Sequence, residues 1–169
     1  ATVENLLGID VNYVFRVNFT SMIDIVDALG GIDIDVAEGM AVSKFYTNST
    51  LEGVHEGTNH LDGKRALAYS RERKAYIDGD VQRARNQQQV LQAMFKKATS
   101  PEIITKYTSL LKALTHAFDT NMSTKEITSF IKYQIQAKPS WKFEQYVLKG
   151  DNDLQVSPEL GSEVSVIQL

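Results

Sequence analysis

The stretch YVFRVNFTSMIDIVDALGGIDIDV, Tyr13 to Val36, decides the fold class. In its first part Tyr13, Phe15, Val17 and Phe19 alternate with Val14, Arg16 and Asn18, the period of a half-buried strand. Thr20 or Ser21 then caps a short helix that turns Ile23, Val26 and Ala28 inward. Gly30 and Gly31 stop the helix, because glycine enters the left-handed region at little cost. Ile32, Ile34 and Val36 alternate with Asp33 and Asp35, a second strand with the aspartates on its outer face. Strand, short helix, strand predicts an α/β domain.

The rest of the chain is read outward from that unit. Upstream, Ala1 leads into VENLLGI, which reads as the end of a helix already under way, so the chain is expected to be a piece of something longer. Residues 39–60, rich in Gly, Thr and Asn, read as loop. Asp62 is placed to cap a helix through Tyr69, and a break follows. Asp80 is expected to cap a long helix, Val81 to Ala98, with Val81, Ala84, Leu91, Met94 and Phe95 inward. Ser100-Pro101-Glu102 opens a helix that continues through Ile103, Ile104, Tyr107, Leu110, Leu111, Leu114 and Phe118. Ser123 to Glu126 is a capping box, with Ile127, Phe130, Ile131 and Ile135 behind it. Trp141, Phe143 and Val147, with Tyr146 and Leu148 opposite, read as a strand buried on both faces, and Ser165 to Leu169 as a last strand.

Composition sets the outer bounds. The 169 residues are 43% hydrophobic and 23% charged, which suits one domain with a core and excludes a disordered or collagen-like chain. With no cysteine there is neither a disulfide nor a thiolate metal site. The net charge of -3 argues against a globally basic nucleic-acid binder. The apolar runs are far shorter than the roughly 20 residues that cross a bilayer. His55, His60 and His116 have no metal-ligand spacing; His55 and His60 read as loop residues.

Yet the charge is uneven. Seven basic residues fall between Lys64 and Arg85: Lys64, Arg65, Arg71, Arg73, Lys74, Arg83 and Arg85. Arginine's planar fork matches phosphate oxygens in bidentate fashion. If residues 69–73 are extended, Arg71 and Arg73 point to one side. Arg83 lies in the first turn of the long helix, where free N–H groups favour an anion, and Gln87 shares its face at i+4. Together they form a candidate pocket for a pyrophosphate. The alternative reading pairs the same arginines with Glu72, Asp78 and Asp80 as surface salt bridges.

These residues carry a resemblance. His60 to Arg73 (HLDGKRALAYSRER) resembles the L-D-G-x-x-A-L-x-Y-x-R-x-R block of the LytR-CpsA-Psr family. Gly79-Asp80-Val81-Gln82-Arg83 and Gln87 are similar to that family's G-D-x-x-R-x-x-x-Q continuation, and Val26 to Ile32 (VDALGGI) to its V-D-A-L-G-G-V segment. Asn86 stands where many members have arginine, so Arg85 is given no catalytic role.

The resemblance implies a three-layer α-β-α sandwich around a mixed sheet, and a phosphotransferase of the Gram-positive cell envelope. Such enzymes move a glycopolymer, teichoic acid or capsular polysaccharide, from a polyprenyl-pyrophosphate carrier to peptidoglycan. It implies that Arg71, Arg73 and Arg83 are catalytic and that they bind the pyrophosphate with Asp80 and Gln87. It also implies a Mg²⁺ cofactor whose aspartate ligands lie upstream of Ala1, so no metal site is expected within residues 1–169. In that reading the chain is the C-terminal portion of one catalytic domain, completed by an N-terminal segment and held at the extracellular face of the membrane by an anchor, neither being in this chain. Phe15, Val17 and Phe19 are candidates for a prenyl slot, against which core packing is the simpler reading. This chain alone is expected to expose apolar sheet surface. A non-catalytic polyprenyl-phosphate-binding or regulatory module and a lipid pyrophosphate hydrolase are the alternatives. No nucleic-acid partner is expected.

Overall fold

In the computed structural model, residues 2–104, 119–144 and 151–168 are described. The expected Tyr107, Leu110, Leu111, Leu114 and Phe118 of the helix that opens at Ser100-Pro101, with His116, and Tyr146, Val147, Leu148 and Leu169, lie outside them.

The α/β class is observed. Helix α1 spans Thr2–Leu7 and β1 is only Phe15–Arg16. Helix α2 (Phe19–Ala28) starts earlier than expected, because the Asn18 side chain, not Thr20 or Ser21, accepts from the Ser21 N–H. Val26 and Leu29 face inward while Ala28 is exposed. Gly30 and Gly31 then take φ of 78° and 86°, as the stop signal required. Strand β2 (Ile32–Val36) buries Ile32, Ile34 and Val36 and turns Asp33 and Asp35 outward, as predicted.

Residues 39–60 are not loop. They hold β3 (Val42–Phe45), β4 (Asn48–Val54) and most of β5 (Gly57–Leu61), and His60 is therefore a strand residue. β3 and β4 form a hairpin, and β5 pairs antiparallel with β2, Ile32 opposite Leu61 and Val36 opposite Gly57. The turn between β4 and β5 is closed by buried Asn59, whose amide donates to the His55 and Gly57 carbonyls and accepts from the His55 N–H.

Helix α3 (Gly63–Arg71) starts at Asp62, whose carboxylate accepts from the Arg65 N–H at 2.8 Å, and runs two residues past Tyr69. It packs on α2, on β4 and on α4 (Gly79–Ala98), and α4 packs on β2. Val26, Ile34, Phe45, Leu61, Tyr69 and Val90 belong to the core that these elements enclose. On α4 Asn86 and Val90 are buried and the expected Val81, Ala84, Met94 and Phe95 are half-buried, whereas the expected Leu91 is 65% exposed. Asn86 is the residue the expected stripe lacked. A polar residue is buried because its amide donates to the Tyr69 carbonyl and accepts from Gln82.

Helix α5 (Pro101–Ile104) begins as Ser100-Pro101 predicts. Strand β6 (Asp119–Thr120) pairs with β1, and Arg16 meets Asp119 at 2.8 Å. Helix α6 (Thr124–Ala137) carries the full capping box. Its Ile127 and Ile131 are half-buried, but Phe130 and Ile135 are exposed and Gln134 is the buried residue, accepting from the Trp141 indole N–H. Trp141 and Phe143 lie in no strand and are not buried. They stand edge-on to Phe95, with ring centres at 5.2 and 5.3 Å. β7 (Asp151–Val156) and β8 (Glu163–Gln168) close the described chain as an antiparallel pair. All four sheets among the described residues are two-stranded and antiparallel.

The Tyr13–Phe19 alternation did not produce a half-buried face. Phe15 is 55% and Phe19 58% exposed, and Tyr13 and Val17 are exposed as well. Apolar surface is thus exposed along residues 3–19, on a run with only two strand residues. No helix among the described residues is long and apolar enough to cross a membrane.

The capping box gives a pH prediction. Hydrogen bonds from the Ser123 hydroxyl, then the Tyr13 hydroxyl, hold the Glu126 carboxyl below its ordinary value of 4.5. A depressed carboxyl stabilises the fold above its unfolded value, and that contribution fades as pH falls through the folded one. The destabilisation caused by Ser123→Ala should therefore be full at pH 7 and shrink below pH 4.5. Urea unfolding at both pH values checks this, and a pH-independent difference rejects it.

Candidate anion-binding site

The end of α3 and the start of α4 bring the basic cluster together in part. Asp80 lies inside the first turn of α4, not at its cap; the cap position is Asp78, which makes no side-chain capping bond. The first-turn N–H groups of α4 therefore have no carboxylate cap from that residue. Arg83 Nη2 reaches Asp80 Oδ1 at 2.9 Å and Arg73 Nη1 reaches the same oxygen at 3.4 Å. Two guanidiniums on one carboxylate leave an excess positive charge and unused donors. Both side chains are partly exposed, so these contacts hold little free energy and can yield to a better anion.

Arg71 does not join them on Asp80. The expected extended run over 69–73 is absent: the helix continues through Arg71, and Glu72 is the first extended residue. The Arg71 guanidinium lies over the Phe19 ring, 4.4 Å from its centre. With Lys64, Thr47, Ile23 and Leu67 it lines a cleft of about 130 Å³ between α2, α3 and the β3–β4 turn. Arg73 and Arg83 thus meet on Asp80, the partner that the salt-bridge reading also names, while Arg71 is directed to this cleft. Gln87 is exposed one turn beyond Arg83. Phe15, Val17 and Phe19 are not core residues, contrary to the simpler expectation; Phe19 serves as the platform under Arg71.

Three residues of the same segment escaped sequence reasoning. Arg65 is not an anion ligand, because its guanidinium spans the carbonyls of Glu52, Gly53 and His60 and pins α3 to the strands. Glu72 is fully buried, not a surface partner of the arginines, and Asn86 is buried under Tyr69. Charge alone does not separate Arg65 from Arg83; the three carbonyls that occupy Arg65 are brought together by folding. Tyr69 is a core residue, and its hydroxyl donates to Gln89. Burial, and then the neighbouring Tyr76, push its hydroxyl well above the ordinary range, so it stays protonated. Asp33 faces outward and meets the His60 ring at 2.7 Å. Among the described residues no three His, Asp or Glu side chains are grouped to hold a metal ion.

Comparisons with known proteins identify the family and the fold. The sequence model of the LytR_cpsA_psr family matches residues 1–160. The chain is 37% identical over 129 residues to the polyisoprenyl-teichoic acid–peptidoglycan teichoic acid transferase TagU of Bacillus anthracis, covering 75% of this chain and 40% of that protein. It therefore spans less than half the length of that relative. The crystal structure of Bacillus subtilis TagV superimposes with a TM-score of 0.74 at 26% identity, over 98% of this chain and 61% of that one. A structure of TagT bound to LI-WTA gives 0.62 at 30% identity, over 79% of this chain and 48% of that one. With its motifs in register and its fold shared with these structures, the chain belongs to the LytR-CpsA-Psr family.

Proposed function

We propose that this chain supplies the C-terminal portion of the catalytic domain of an envelope phosphotransferase. The enzyme would move a glycopolymer from a polyprenyl-pyrophosphate carrier to peptidoglycan at the outer face of the membrane. The observation that carries the proposal is the meeting of Arg73 and Arg83 on Asp80 at the open start of α4. The name of the TagU relative, a teichoic acid transferase, supports the same reaction class.

In the proposed step the acceptor hydroxyl oxygen attacks the phosphorus that bears the polymer. The bond from that phosphorus to the bridging oxygen breaks, polyprenyl phosphate leaves, and the hydroxyl proton passes to solvent. Such a transfer needs positioning and charge neutralisation more than covalent help from the protein. Arg73 and Arg83 would release Asp80 in part and take pyrophosphate oxygens. Arg71, beside the cleft, would hold the carrier's phosphate end, and Gln87 would add a neutral donor. Mg²⁺ belongs to the same proposal and, when bound, would neutralise phosphate charge; the described residues do not form its site, and no step here runs through it.

The test is transfer from a prenyl-pyrophosphate-linked disaccharide to peptidoglycan by the intact protein. Arg73→Ala should lower kcat/KM by about a hundredfold, the loss expected for a preorganised charged donor. Turnover equal to wild type would overturn the assignment. Product analysis without acceptor decides against transfer if free sugar phosphate accumulates at the same rate, and absence of turnover with retained binding identifies a non-catalytic module.

A further inference from the structure

Glu72 stands between the two arginines of the motif and is completely buried. A carboxylate removed from water is costly unless its oxygens are satisfied. Oε1 accepts from the backbone N–H of Arg73 at 2.9 Å and of Ala75 at 3.3 Å, and Oε2 accepts from the N–H of Tyr46 at 2.7 Å. These donors come from two distant segments, the loop between α3 and α4 and the turn between β3 and β4. The carboxylate therefore ties the loop that carries Arg73 to the hairpin.

The other side of Arg73 is fixed as well. A Cβ on Gly79 would strike the Arg73 carbonyl and lie 2.7 Å from its Cγ, so the first residue of α4 packs directly beneath Arg73. Its guanidinium, by contrast, is held by one exposed contact of 3.4 Å to Asp80, too weak to order a long side chain. The order has to come from the backbone. We infer that Glu72 is a positioning residue that sets the backbone from which Arg73 reaches the anion beside Arg83. This rests on the pyrophosphate reading of that site.

The role demands an acceptor-only group of this length. Glutamine keeps the shape but turns an NH₂ toward backbone N–H donors. Aspartate keeps the chemistry but falls one methylene short. The expected order of activity is thus Glu, then Asp, then Gln.

The experiment is a double-mutant cycle in the intact protein, using the same disaccharide donor and peptidoglycan acceptor, with a thermal melt of each variant. Glu72→Gln should melt cooperatively and lower kcat/KM roughly ten- to a hundredfold, since small misplacements of a binding group cost that much. In the Arg73→Ala background it should cost less than about twofold further, because its effect passes through Arg73. An E72Q enzyme within twofold of wild type overturns the inference, and so does an equal loss in both backgrounds, which would mean general structural damage. If E72Q does not fold, Glu72→Asp takes its place under the same criteria. Wild-type turnover in Arg73→Ala alone marks failure of the pyrophosphate reading, and the inference falls with it; a loss there with none in E72Q refutes the role of Glu72 only.

Discussion

Gly53→Ala is expected to destabilise the intact protein by about 3 kcal/mol, the upper part of the range for overpacking. At position 53 in β4 a Cβ would fall on the Val42 carbonyl of β3 and lie 2.8 Å from the Ser43 carbonyl carbon. These are backbone atoms, so no side-chain rotation relieves the overlap and the two strands must separate. The hairpin carries Val42, Phe45 and Val54 of the core, and the Gly53 carbonyl accepts from Arg65 Nη2 at 2.6 Å. Opening the hairpin thus loosens the apolar core and the hold of α3 on β4 together. For a domain of this size the shift in Tm is roughly 6–12 °C. Urea and thermal unfolding measure it, and a melting point within 2 °C of wild type, about half a kcal/mol, shows that β4 does not approach β3 so closely.

The same hairpin shows why sequence reading stopped where it did. Asp62, Ser123 with Glu126, Gly30 and Gly31, and the Ile32–Val36 alternation act within a few residues, and each was legible. β3 and β4 are made by contacts between segments; their Gly, Thr and Asn residues suggest loop until Gly53 is seen against Val42. The Tyr13–Phe19 alternation failed for the opposite reason. A period of two is a strand signal only where a partner covers one face, and here, among the described residues, only Phe15 and Arg16 pair, with β6, before Asn18 starts a helix. At the site, Arg83 meets Asp80 because their i, i+3 spacing on a helix brings them together, although Asp80 lies inside the first turn and not at the cap expected of it. Arg71 was misplaced because the chain leaves the helix two residues later than supposed. Glu72 was misread as a surface charge because its partners are backbone N–H groups, one of them 26 residues away.

Arg83→Ala should lower kcat/KM for glycopolymer transfer by about a hundredfold or more, with an unchanged melting curve. Arg83 is the fifth residue of a 20-residue helix, at the start of its second turn, and the cap residue of that helix makes no side-chain bond. The uncapped N–H groups and the aligned peptide dipoles favour negative charge there. Its side chain is 39% exposed and held by Asp80, so removing it empties no core space and stability should hold. Arg83→Lys keeps the charge and loses the planar fork, so it should recover only part of the activity. Arg85, exposed two residues further on the helix, is the control, and Arg85→Ala should stay within twofold of wild type. Equal losses at both arginines would point to general attraction of an anionic substrate, which salt would abolish. A loss confined to Arg83 and persistent at high salt requires direct contact, since only a guanidinium on the phosphate oxygens separates two cations so close on one helix.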